Sequence, residues 1–339
     1  MRKELWLVIA LIAVIAILSA CGTKSQEDVT KDLQEKAEEL KGYKATAKMT
    51  LAVGNEPHSY DIDIWHNKPG DYRVHLKNEK KNQSQMILRN KTGVYVLTPA
   101  LNKSYKFQSD WPKNSSQAYL YESLVADILA DSEAKFKATK EHYVFETKTR
   151  YQNKNMLPNQ EITFKKDTLE PVSVKVMDAN QNPVVTVEFS KMEFNPKFDK
   201  NSFDTNNSMT SAQLDVEVIG DNGDSEFSVQ YSMADIPGIT LVEEKVVNTE
   251  NGKRALLSYA GEDKSFTIIQ EKVDVIPATS METVNVNGEM VDLGFTIGAM
   301  TDKTISWSDN GVEFLLVSND LTPEEMIMVA KSVQGGVVK

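Results

Sequence analysis

The sequence predicts an α+β fold in two parts: an N-terminal incomplete antiparallel β-barrel covered by helices, followed by a smaller α+β domain. Three observations carry this. Between Tyr43 and Phe194, apolar and polar residues alternate along short runs separated by turn formers. Two segments with helical periodicity precede and interrupt those runs. A polar, aperiodic stretch at 205–213 then separates them from a second set of strands, in a chain of 339 residues, longer than one average domain.

Residues 25–41 place Val29, Leu33, Ala37 and Leu40 on one helical face. Ser25 and Asp28 match a capping box, and Gly42 is expected to stop the helix. The period then becomes two. Tyr60, Ile62 and Ile64 alternate with Asp61 and Asp63; after the turn at 67–71, Tyr72, Val74 and Leu76 alternate with Arg73 and His75. Strands follow at 84–90, 93–99 and 104–107. A helix over 115–131 sets Leu120, Leu124, Val125 and Ile128 on one side. Strands resume at 142–150, 160–166, 171–178 and 183–194, with strong turn signals between them. Strands with one apolar face need a cover for it, and a meander that curls far enough makes an open barrel with a hollow side.

Residues 205–213 read as a linker, and 214–339 as the smaller domain. Its strands are expected at 214–220, 226–231, 254–259, 265–270 and 312–318. A terminal helix over 321–333 has Thr322 as N-cap, Pro323 at its first position and Glu325 completing a capping box. It would bury Met326, Ile327, Ala330 and Val333.

The amino end is a signal of another kind. Arg2 and Lys3 precede an uncharged apolar run, 5–20, which ends in Leu18-Ser19-Ala20-Cys21. A basic head, an apolar middle and small residues at the end describe a signal peptide over 1–20. An uncleaved anchor is the alternative, although spanning helices usually need roughly 20 apolar residues. The run's end resembles the bacterial lipobox, which implies lipidation of Cys21 and a mature chain starting there. Residues 21–27 would be a tether, and acyl chains would hold the protein on the outer face of the cytoplasmic membrane. Cys21 is the only cysteine, so no disulfide forms within the chain.

Net charge is −11; removing Arg2, Lys3 and Glu4, a net +1, gives −12 for the mature chain. That excludes nucleic acid as a partner, because such binding needs basic patches. The four histidines, His58, His66, His75 and His142, show no metal-ligand spacing. There is no nucleophile elbow and no phosphate-cradling glycine loop. Asp61 and Asp63 read as solvent-facing strand residues. Neither a cofactor nor an enzymatic activity is expected.

Three segments of 28–204 resemble the LolA/LolB/RseB superfamily of exported lipid-handling proteins. They are Trp65-His66-Asn67-Lys68-Pro69 followed by Tyr72-Arg73-Val74; MILRNKTGVYVLTPALNKSYKF (86–107); and VEFSKMEFNPKFDKNSFD (187–204). The resemblance implies an incomplete barrel with helices over an open apolar side, a cavity that in LolA carries the acyl chains of lipoproteins. The family's arginine before the turn proline, which holds the lid in LolA, falls on Lys68; lysine cannot reproduce a bidentate guanidinium contact. By strand parity with Lys68, the inward, ligand-binding set is Ile62, Ile64, His66, Lys68, Tyr72, Val74, Leu76, Val172, Val174, Val176, Val185, Val187 and Phe189. Leu120, Leu124 and Ile128 would plug the opening. The alternative is that these residues pack a filled core under that helix.

The appended second domain is similar to the two-part arrangement of RseB, which implies a membrane protein partner as the alternative to a lipid or acyl ligand. Its segments ISWSDNGVEFLLVS and LTPEEMIMVAKSV resemble a small domain of exported proteins in endospore-forming Gram-positive bacteria, which implies a link to sporulation.

Overall fold

The computed structural model of the chain describes residues 24–52, 57–78, 83–109, 111–112, 116–151, 156–214, 227–249, 252–272, 281–293, 296–309 and 311–335. The signal peptide, Cys21 and most of the strand expected at 214–220 lie outside the described residues.

Helix α1 (Gln26–Glu39) begins at the expected cap. The Ser25 hydroxyl accepts from the Asp28 amide, and the Asp28 carboxylate accepts from the Ser25 amide, each at 3.2 Å. The helix ends before Gly42, which corrects the helix-stop role given to that residue. Gly42 instead opens strand β1 (Gly42–Leu51), where a Cβ would stand 2.2 Å from the His66 carbonyl oxygen. Only glycine lets the two strands come this close.

Strands β2 (His58–Asn67), β3 (Asp71–Asn78), β4 (Gln83–Asn90), β5 (Gly93–Thr98) and β6 (Lys103–Phe107) continue a meander. After α2 (Tyr121–Ala130), a second meander follows: β7 (Lys135–Ala138), β8 (His142–Lys148), β9 (Asn159–Lys165), β10 (Pro171–Met177) and β11 (Pro183–Phe194). The two join where β1 pairs antiparallel with β11. The chain then forms α3 (Thr205–Leu214), β12 (Gln230–Ser232), β13 (Thr240–Thr249), β14 (Gly252–Ala260), β15 (Ser265–Lys272) and β16 (Glu282–Val286). It closes with β17 (Glu289–Asp292), β18 (Ile297–Met300), β19 (Thr304–Asp309), β20 (Val312–Val317), α4 (Pro323–Ser332) and β21 (Val333–Gly335).

The fold is α+β and its main sheet is open. Its twelve strands run β16-β6-β5-β4-β3-β2-β1-β11-β10-β9-β8-β7 and do not close. Period-two burial along β1 and β2 puts Ala45, Ala47, Met49, Tyr60, Ile62 and Ile64 on one face. Helices α1 and α2 cover that face, contributing Val29, Leu33, Leu124, Val125 and Ile128 to one core.

Residues 205–213, expected as a linker, form α3 instead. Asp204 caps it through the Asn207 amide at 3.0 Å. Its buried side is Ser208, Met209 and Ala212, and the last two pack on Met86, Leu88, Tyr95 and Leu97 on the opposite face of the main sheet. A face this small and polar leaves no hydrophobic period to read.

In the C-terminal part, a seven-stranded sheet runs β13-β14-β15-β20-β19-β18-β17. One of its faces packs on α4, whose Thr322–Glu325 capping box forms as expected. Strand β16 does not join this sheet. It pairs in parallel with β6 and is the outermost strand of the main sheet, so a strand pairing crosses from the smaller domain into the larger.

Candidate functional site

The residues assigned to the inward face come together, and α1 and α2 fill the space above most of them. Ile62, Ile64, Tyr72, Val74, Val174, Val176 and Val187 are buried in one cluster with Leu120, Leu124 and Ile128. Leu76, Val185 and Phe189 are half-buried at its margin.

Two positions depart from the expected set. Val172 is not on the buried face: the β9–β10 register slips between Pro171 and Ser173, so Pro171 takes the position opposite Phe164 and Val172 is left without a partner. A bulge of this kind reverses side-chain parity, which simple alternation cannot anticipate. Lys68 does not face the ligand side either. Its ammonium donates to the carbonyls of Ala37 (3.0 Å) and Glu38 (2.6 Å), the last turn of α1. A cation there satisfies carbonyls that the helix leaves open and opposes its negative end.

His66 is buried and sits in a polar knot. Its Nδ1 is 3.0 Å from the Asp71 carbonyl, its Nε2 is 2.9 Å from Glu122, and its ring stacks on Tyr72 at 4.1 Å. The Tyr43 hydroxyl donates to Glu122 at 3.0 Å and accepts from the Tyr121 amide. Burial, with the nearby Glu122 carboxylate second, raises the Tyr43, Tyr72 and Tyr121 phenols above their usual range, so they stay neutral. The knot ties the first turn of α2 to the β2–β3 hairpin. Among the described residues no group of three or more His, Cys, Asp or Glu could hold a metal.

A cavity of about 620 Å³ opens elsewhere, between the β4-β5-β6-β16 end of the main sheet and the second sheet. That volume lies inside the roughly 300–1,000 Å³ of small-molecule sites. Val96, Phe107, Val286, Ile297 and Ala299 line it and also belong to the main core, so it continues the apolar face that α1 and α2 cover. Tyr105, Val284, Ile269, Trp307, Phe314 and Leu315 complete most of its apolar wall. Lys103 pairs with Glu313 at 2.7 Å, and the Tyr105 hydroxyl donates to the same carboxylate at 3.0 Å. Burial, the larger cause, keeps the Tyr105 phenol protonated. Gln85 closes one side, donating to Thr296 at 3.0 Å and accepting from the Ile297 amide at 2.8 Å.

None of the positions assigned from the sequence lines this cavity. It forms where β16 crosses between the two parts, a pairing between distant segments that no local pattern records. The run of apolar residues at Val284, Val286, Ile297 and Ala299 was its one sequence trace.

An open antiparallel sheet with helices on its apolar face, carrying a second sheet across a largely apolar cleft, defines a two-part α+β protein. The chain belongs to the sporulation protein YdcC-like family, whose model matches residues 2–203. It is 53% identical over 334 residues to the sporulation protein YdcC of Bacillus subtilis (strain 168), covering 98% of each chain. Similar solved structures include the MucA/MucB complex of Pseudomonas aeruginosa, at 12% identity and a TM-score of 0.34, covering 92% of this chain and 100% of that one. A second is a putative outer membrane lipoprotein-sorting protein domain from Vibrio parahaemolyticus, at 13% identity and a TM-score of 0.32, covering 54% of this chain and 97% of that one.

Proposed function

We propose that this chain is a sporulation protein of the cell envelope, tethered to the outer face of the cytoplasmic membrane through lipidated Cys21, and that it binds a lipid or acyl chain and catalyses no reaction. The observation that carries the binding role is the apolar cavity between the two sheets. Burying each methylene of a chain there is favourable by about 0.8 kcal/mol. The ligand site is this junction; the space under α2 is held by protein side chains. Mass spectrometry of organic extracts from the purified protein, with displacement of a fluorescent fatty-acid probe, tests the role. A bound or displaceable lipid, lost in Ile269→Trp, which fills the cavity, supports it; no bound lipid and no displacement rejects it. For the tether, Cys21→Ser should move the protein from the membrane fraction to the soluble one.

A second reading, capture of a membrane protein partner, is favoured by a separate observation. Among the described residues, strand β13 is paired only with β14 and exposes Leu241, Val242 and Val246 at an outer edge of the second sheet. Such edges accept an added strand. Crosslinking in membranes that returns one stable protein, undiminished by Ile269→Trp, would favour this reading over lipid binding.

A further inference from the structure

We infer that the β13 edge receives an extended, basic segment of a partner protein, apolar at every second position, which adds to the seven-stranded sheet as an eighth strand. This rests on the partner-capture reading above and adds the chemistry of the partner. It is independent of the junction cavity.

Three observations carry it. The first is the edge itself. β13 runs over ten residues, Thr240–Thr249, and among the described residues only β14 pairs with it. Its outward N–H and C=O groups are open to an added strand.

The second is an apolar row along one face of that edge. Leu241 stands opposite Tyr259, and Val246 opposite Ala255. Directly opposed residues share a face, and Tyr259 belongs to the core that α4 covers. Leu241 and Val246 therefore point to the α4 face, yet both are exposed at its rim. Val242, the extra residue where the register shifts, is 60% exposed. A neighbouring strand with apolar side chains at alternate positions removes this row from water.

The third is charge. Residues 214–339 hold 22 Asp and Glu against 8 Lys and Arg, a net −14, whereas residues 21–213 hold 26 against 28, a net +2. The acid reaches the edge. Glu243 and Glu244 are exposed at mid-strand, and Glu262 and Asp263 are exposed in the turn after Ala260, the partner of Thr240. Lys245 is the one cation on β13. The cations Lys253 and Arg254 stand toward the Thr249 end, where Glu271 pairs with Arg254. A basic segment is drawn to this field and an acidic one is repelled. The same charges decide against a second copy, which would bring its own −14 to the edge, and they blunt pairing with unrelated strands.

The test uses the purified chain and fluorescent peptides of about ten residues, the length of β13, read by anisotropy. Three peptides share valine at alternate positions and carry lysine, serine or glutamate between. A fourth has the composition of the lysine peptide in scrambled order. The lysine peptide should bind about tenfold tighter than the serine and scrambled peptides, and the glutamate peptide should bind most weakly. Raising salt from about 0.05 M to about 0.5 M should narrow the gap between lysine and serine peptides. Glu243→Lys combined with Glu244→Lys should reverse the charge order. Val242→Ser combined with Val246→Ser should weaken the lysine and serine peptides alike. All four side chains are exposed, so the variants should fold, and thermal melts check this. Equal binding of lysine and glutamate peptides overturns the inference while capture at the edge stands. Equal binding of the scrambled peptide overturns it too, as does a dimer of the chain, seen by sedimentation and lost in the valine variant. Binding by none of the peptides rejects capture at this edge, and the inference with it.

Discussion

Asp127 shows how much one buried side chain organises. It is 1% exposed on α2 and accepts from Ser116 Oγ at 2.8 Å, Gln160 Nε2 at 2.6 Å and Arg150 Nε at 2.5 Å. Three donors on separate segments thus converge on one carboxylate and fix the helix on β9. Asp127→Ala takes the shared acceptor from all three, and removing one partner of a buried ion pair costs about 3–5 kcal/mol. The urea midpoint should fall accordingly, with α2 losing hydrogen-exchange protection first. An unchanged midpoint would show that the cluster contributes nothing net. In the sequence, Asp127 is a polar residue inside an apolar helix pattern, and no rule on that pattern reveals its partners. The identity of the inward residues was more legible: Ile62, Ile64, Val74, Val174, Val176 and Val187 follow from alternation alone. Val172 fails because the bulge beside it is set by the pairing of β9 with β10.

Helices α1 and α4 were readable because both carry capping boxes and an apolar face. Helix α3 was not, because its buried face is made of Ser208, Met209 and Ala212. Helix α1 is held at both ends by charge. Its C-terminal carbonyls receive Lys68, so Lys68→Met should cost about 0.5–1 kcal/mol and fray the last turn, seen as faster amide exchange at Leu40 and Lys41. Helix α4 is held at its start. The Glu325 carboxyl is lowered below its ordinary 4.5, first by the hydrogen bond from Lys264 and then by the Thr322 amide. A depressed folded value means the contribution is fully present above 4.5 and disappears as pH falls through the folded value. Both partners are partly exposed, so it amounts to less than about 1 kcal/mol. Glu325→Gln should flatten that part of the acid stability profile; a profile identical to that of the unsubstituted chain would exclude the assignment.

For the whole molecule, the decisive feature is the exchange of β16 into the main sheet. Local pattern predicted two separate parts, since hydrophobic period speaks only to neighbours in sequence. The parallel pairing of Val284 with Tyr105 and of Val286 with Phe107 joins segments far apart in the chain. A fragment ending at 214 would expose the β6 edge and the apolar wall at Val96 and Phe107. It should unfold about 1–3 kcal/mol more easily than the full chain, measured by urea denaturation of both. Equal midpoints would mean that the second part adds no support.

Strand order also fixes where the ends of the molecule lie. The start of α1 rests against the β7 edge, where Gln26 donates to the Ala134 carbonyl at 3.0 Å, while the cavity lies at the β16 edge. Eleven steps between neighbouring strands, at roughly 4.8 Å each, separate these edges by on the order of 50 Å along the sheet. A chain moored at its amino end would therefore be held beside the edge of the sheet opposite the one that borders the cavity.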